Sequence, residues 1–233
     1  MDILLFSLKH LRNLVSFEHE KFYLQNNDDN ICEFLKLNPQ LTSLKILHSS
    51  FNPEMFSSIK YIENLSNLYL SCRNYEINEP DYSNIPTITS VTSLTISLSR
   101  ISEIGWKIIE KFPNLTELLV QMHCSDLDKL STLAKMLSSV KSLSLKIILN
   151  LAYSKELNIP NIDNLKGLEF IMQYGTYIDD IKLNISSCPN LNVAKFSKAK
   201  GLVYEKQPKI NPRMIDCWNV VYFPHRVTYY RVF

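Results

Sequence analysis

Residues Ile101 to Val120, ISEIGWKIIEKFPNLTELLV, decide how the rest of the chain is read. Ser102 to Phe112 predicts a short helix, Pro113-Asn114 a turn, and the residues after it a strand in which Leu115, Leu118 and Val120 are spaced L-x-x-L-x-V. In a strand, the fourth and sixth positions of that spacing point to one face and the third, fifth and seventh to the other. One unit of this kind cannot bury its own apolar face, so it predicts neighbours of the same pattern.

Those neighbours are present. Aligned on the first apolar residue, the pattern starts at Leu11, Leu41, Leu65, Val91, Leu115, Val140, Leu165 and Leu191, at intervals of 30, 24, 26, 24, 25, 25 and 26 residues. The fourth positions are then Leu14, Leu44, Leu68, Leu94, Leu118, Leu143, Leu168 and Ala194. The sixth are Ser16, Ile46, Leu70, Ile96, Val120, Leu145, Phe170 and Phe196. A repeat of about 25 residues carrying this spacing is the signature of a leucine-rich repeat. The expected fold is therefore α/β, a leucine-rich-repeat solenoid of about eight units over residues 1–200, with a β-rich capping segment over 201–233.

The segments between strands must carry the chain back. Asn52-Pro53-Glu54 opens a helix with Asn as N-cap, Pro in the first turn and an acid beside it, and Met55, Phe56, Ile59 and Ile62 form its apolar stripe. Ser125 to Asp128 resembles a capping box ahead of Leu127, Leu130, Leu133 and Leu137. Weaker helices are expected at Asn30 to Leu37 and Ile178 to Cys188. Asn74 to Thr89 and Asn150 to Asp163, with their prolines and little periodicity, are expected to be extended. Met1 to His10 is expected to be the tail of a preceding unit, through Leu4, Leu5 and Leu8. Trp218 to Phe223 and Arg226 to Phe233 are β-prone runs broken at Pro224-His225.

Composition excludes several classes. No run approaches the 18 or so apolar residues of a membrane span, and Met1-Asp2-Ile3 lacks the cations of a signal peptide. Four glycines leave no phosphate-cradling loop, and G-x-S-x-G, H-E-x-x-H and Walker patterns are missing. The five cysteines, Cys32, Cys72, Cys124, Cys188 and Cys217, are odd in number and widely spaced, which suits free thiols in a reducing compartment. His123, Cys124 and Asp126 offer no second pair to complete a metal site. The expectation is an intracellular non-enzyme, cytoplasmic or nuclear, with no cofactor, metal, membrane or small-molecule substrate.

The unit from Ile101-Ser102-Glu103-Ile104-Gly105 to Phe112-Pro113-Asn114-Leu115 resembles the cysteine-containing repeats of F-box/leucine-rich-repeat proteins, whose pattern runs I-T/S-D-x-G-L-x-x-I-x-x-x-C-P-N-L. Phe112 stands where that family has Cys, Cys188-Pro189-Asn190-Leu191 keeps the ending literally, and Asn38-Pro39-Gln40-Leu41 echoes it. The likeness covers residues 11–196 as architecture. It implies a ribonuclease-inhibitor-like horseshoe that recognises substrates for an SCF-type ubiquitin ligase, with ligase subunits among its partners. The F-box, the helical module that docks such proteins on the ligase adaptor, is not found in these 233 residues. The expectation is thus the recognition half alone, either part of a longer chain or one whose first unit is covered by self-association.

The expected interaction surface is the concave face, for a protein partner. Its third-, fifth- and seventh-position columns supply Phe17, Lys45, Leu47 and Tyr69 at one end, Glu117, Leu119 and Gln121 in the middle, and Lys146, Glu169 and Ile171 beyond. Phe17, Leu47 and Tyr69 are either an apolar anchor beside a Ser/Thr-rich floor or tolerated residues on a solvated sheet. Residues 195–233 hold eight Lys/Arg against two acids, interleaved with Trp218, Tyr222, Phe223, Tyr229, Tyr230 and Phe233. Such interleaving is one signature of single-stranded nucleic-acid binding, which makes a nucleic-acid-associated scaffold the alternative. A cap on the last unit is the plainer reading, since the columns carry no basic stripe.

Overall fold

The structure, a computed structural model, describes residues 11, 13–21, 29–48, 51, 53–72, 84–98, 103–123, 140–149, 156–172, 182–185, 188–198, 218–223 and 226–232. Met1 to His10, the Leu127 to Leu137 stripe, Cys124 and Cys217 lie outside them. Ten strands form one mostly parallel sheet. The chain divides into two compact units, Met1–Leu118 and Leu119–Phe233, taken in turn.

In the first unit, strands β1 (Ser16–Lys21), β2 (Ser43–His48), β3 (Asn67–Cys72) and β4 (Ser93–Leu98) lie side by side in sequence order, all parallel. Parallel neighbours need a crossover, and helices α1 (Asp29–Leu37) and α2 (Pro53–Ile59) provide the first two, in contact with each other. Ile31, Phe34 and Leu35 of α1 are buried at i, i+3, i+4 spacing, and Lys36 lies in the last turn where the helix dipole favours a cation. Asn38 stops the helix: fully buried, its Nδ2 donates 2.8 Å to the carbonyl of Phe34, covering an end group that would otherwise be orphaned. In α2, Met55, Phe56 and Ile59 are buried, with Phe51 edge-on to Phe56 at 6.2 Å. The helix of the founding stretch is α3 (Glu103–Ile109), shorter than expected, with Phe112 buried in the turn that follows.

Each unit-to-unit step in this half is fastened by one hydroxyl and two amides converging on a single carbonyl. The amides of Thr42 and Ser43, at 2.9 and 3.1 Å, and the Thr42 hydroxyl, at 3.1 Å, donate to the Val15 carbonyl. Ser66 and Asn67 do the same to Thr42, Thr92 and Ser93 to Ser66, and Thr116 and Glu117 to Thr92. This ladder locks the register in which Leu44, Leu68 and Leu94 stack as one buried row and Ile46, Leu70 and Ile96 as the next.

The register corrects the reading of the first unit. Phe17 pairs with Leu44 and His19 with Ile46, so Leu14 rather than Leu11 is the first position and the strand lies three residues later than expected. Three is odd, so the faces exchange. Phe17 points to the core, where its ring lies 4.3 Å from Phe34, and leaves the outer face.

Of β5 (Glu117–His123), Leu118, Val120 and Met122 are buried and the alternate residues are not. In the second unit, β6 (Ser142–Leu149), β8 (Leu165–Met172) and β10 (Val193–Lys198) are parallel neighbours. Beyond an irregularity between Leu143 and Ser144, β6 pairs with β8 two residues away from the repeat alignment, Ser144 with Gly167 and Ile147 with Phe170. An even slip keeps the faces, and Leu143, Leu145 and Ile147 are all buried. Among the described residues the returns here hold two short strands. β7 (Glu156–Asn158) pairs in parallel with β9 (Lys182–Asn184), so a strand stands at 182–184 where a helix was expected. Two successive returns that each carry a short strand can satisfy each other's backbone groups side by side.

The last two strands form an antiparallel hairpin. β12 (Arg226–Arg231) runs antiparallel to β10 and to β11 (Trp218–Phe223), matching the two β-prone runs. Val227 and Tyr229 are buried, and Tyr229 sets its ring edge-on to Phe196 at 5.8 Å, which itself stacks on Phe170 at 5.0 Å.

Candidate functional site

The outer face of the sheet holds most of the residues singled out from sequence. In the first unit, one row across the strands reads Glu18, Lys45, Tyr69, Thr95. Parallel strands lie about 4.8 Å apart, so consecutive members of a row touch. The Lys45 ammonium sits 2.7 Å from Glu18 Oε1 on one side and 5.4 Å from the centre of the Tyr69 ring on the other. Its pKa is raised, chiefly because the hydrogen bond to Glu18 favours the charged form. At this exposure, solvent screening leaves the ion pair and the cation–π contact little weight in stability. Their value is positional: they hold an ammonium and a phenol ring side by side on an open sheet.

The next row, toward the strand ends, reads Glu20, Leu47, Ser71, Ser97. Leu47 is half-buried, and Ser71, only 7% exposed, forms a small floor between it and Ser97. The row on the other side reads Ser16, Ser43, Asn67, Ser93, and the Ser93 hydroxyl donates 3.4 Å to Glu117 Oε2. Lys45, Leu47 and Tyr69 are thus brought together, and Glu117 bounds the far end of that face.

In the second unit the row is Lys146, Glu169, Lys195. Glu169 Oε2 lies 3.6 Å from the Lys146 ammonium while its Oε1 accepts a 2.7 Å hydrogen bond from Ser197. Ile148 and Ile171 flank this carboxylate in the following row. Leu119 and Gln121 occupy half-buried outward positions on β5.

Phe17 is therefore the one expected site residue removed from the outer face, and Glu18 takes its place. Sequence reasoning missed Glu18 because the first unit was read three residues early. It also missed the Thr42, Ser66, Thr92, Thr116 hydroxyl ladder, although a Ser or Thr at the second position of four successive units was there to be seen. Ser197 could have been found as the residue facing Glu169 two positions along its neighbour.

Among the described residues no group of three or more His, Cys, Asp or Glu is placed to hold a metal ion. Cys188 is buried, with its thiol 3.4 Å from the Pro160 carbonyl and its pKa raised by desolvation, the reverse of an activated nucleophile. Cys32 is likewise buried. No described helix is long and apolar enough to cross a membrane. In the C-terminal hairpin Tyr229 is committed to the core, and the Arg231 guanidinium donates to the carbonyls of Cys188 and Pro189. No family model matches the chain, and no curated protein or solved structure is recognisably similar to it.

Proposed function

We propose that the chain is a leucine-rich-repeat solenoid and that the outer, concave face of its sheet binds another protein. One observation carries the reading. Strands 24 to 26 residues apart run parallel and in register, so side chains of different repeats form straight rows on one face. Such rows of paired charges, a half-buried Leu and an aromatic ring suit a protein surface, where aromatic anchors ringed by polar groups supply most of the binding energy. The F-box resemblance adds the expectation that the partner is a substrate of an SCF-type ubiquitin ligase.

The nucleic-acid alternative has less exposed chemistry to draw on, since Tyr229 and Arg231 of the basic, aromatic segment are engaged within the fold. The test is co-purification from the native cell with the wild type, with Leu47→Ala/Tyr69→Ala, and with Lys60→Ala, which is exposed on the turn after α2. A partner retained by Lys60→Ala and lost by the double variant supports the reading. Ligase adaptor and cullin subunits in the eluate support the ligase arm. Binding that persists in the double variant, or that follows nucleic acid with a steep salt dependence, overturns it.

A further inference from the structure

β1 and β11 each stand at an end of the strand order, and their chemistry differs. β1 carries Glu18, Glu20 and Lys21, the kind of charged edge that discourages pairing with another chain. β11, WNVVYF, has no charge, proline or glycine, and every residue except Asn219 is β-branched or aromatic. Among the described residues only β12 pairs with it, so no described strand lines its other edge. Val221 is 40% exposed, and Asn219 is exposed beside it.

We propose that β11 pairs antiparallel with β11 of a second copy of this chain, about a twofold axis that continues the sheet from one copy into the other. The symmetry fixes the register. Opposed residues in a continuous sheet must come from the same face, so a twofold axis has to pass through a residue and not between two. Val220 is opposite buried Tyr229 on β12, which places it on the core side, whereas Val221 is opposite Thr228, which alternates to the other side beside Lys195 and is itself buried. An axis at Val221 sets two exposed β-branched side chains directly against each other, a favourable cross-strand pair, and opposes Val220 to Tyr222 and Asn219 to Phe223. No like charges meet anywhere along it. β1 could not do the same without bringing carboxylates together.

Five paired residues on each copy bury less than the ~1,200 Å² of a stable protein interface, so the dimer is weak and forms with rising concentration. It is independent of the partner-binding reading, which uses the sheet face and not its edge. The experiment is sedimentation of the full 233-residue chain over a concentration series, with wild type, Val221→Lys and Val221→Cys. The wild type passes from monomer to dimer mass. Val221→Lys, which opposes two ammonium groups at an already exposed position, weakens association at least about tenfold while the circular dichroism spectrum is kept. Val221→Cys, oxidised at high concentration, gives a covalent dimer whose peptide map joins residue 221 to residue 221. A wild type that stays monomeric, a Val221→Lys variant that dimerises as the wild type does, or cross-links mapping only elsewhere would overturn the proposal. So would a monomer whose β11 is instead occupied by a strand from a different protein.

Discussion

The rings of Phe17 and Phe34 lie 4.3 Å apart at an interplanar angle of 37°, joining the first strand to the first helix. His19 lies beside Phe17 at 6.2 Å, so the start of the sheet is closed by aromatic packing where the following strands use Leu and Ile. Phe17 is therefore a structural residue on a half-buried site. Phe17→Ala is expected to destabilise the protein by about 1–3 kcal/mol, below the 3–5 of a fully buried Phe. Tyr69→Ala, on the outer face, is expected to cost under about 1 kcal/mol. Urea unfolding of the two variants separates them. Equal losses would mean that Phe17 does not support the core.

How the first strand came to be misread shows what the pattern carried. Leu11 and Leu14 are three apart, and so are Leu14 and Phe17, so L-x-x-L fits twice and apolar spacing has no means of choosing. What decides is Phe34, which needs a ring opposite it, and that is a contact between elements. From Leu41 to Phe170 the rows were legible because burial repeats with the chain's own period. The slip in β6 was invisible for the same reason: Leu143, Leu145 and Ile147 are equally apolar, and a shift of two changes neither face. Lys45 and Tyr69 were placed on the right face, but Glu18, which orients Lys45, followed the error in β1. The β7–β9 pair depends on two segments 26 residues apart meeting, for which three-residue strands leave almost no signal.

Lys45 is a titration probe for that surface. Its pKa is raised in the folded protein, so the stabilisation it brings is fully present below the unfolded value of 10.5 and is lost as pH rises through the higher folded value. Glu18→Gln removes the principal cause, and the Lys45 titration followed by NMR should fall back toward 10.5. An unchanged titration would place the cause of the shift elsewhere.

Side-chain amides just before the repeats' first position tie one unit to the last. Asn114 donates 2.7 Å to the Thr89 carbonyl, Asn164 to Val140 and Asn190 to Asp163, each at the same distance, and Gln40 reaches Leu11 at 2.6 Å. Ser90 occupies the same place, and its buried hydroxyl has no partner. Asn114→Ala is expected to cost about 0.5–1.5 kcal/mol, the net worth of one such bond. Ser90→Ala loses no bond and should be close to neutral. Thermal unfolding that ranks the two variants the other way would refute the equivalence of these positions.

Gly167 tests whether the bulged register is real. Paired with Ser144, it leaves room where an added Cβ would meet the Ser144 hydroxyl oxygen at 3.0 Å and its Cβ at 3.6 Å. The first contact is too tight, and the second is ordinary. Glycine inside a strand also costs roughly 0.5–1 kcal/mol in lost chain entropy relative to alanine. The two terms oppose each other in Gly167→Ala, which should gain little or lose slightly as Ser144 turns aside. Once Ser144→Ala has removed the hydroxyl only the entropic term remains, so adding Gly167→Ala to that background should stabilise by about 0.5–1 kcal/mol. The cycle of four proteins, unfolded by denaturant, reads the coupling directly. Were Ser144 opposite another residue, as an unbulged β6 would place it, Gly167→Ala would have the same effect in both backgrounds.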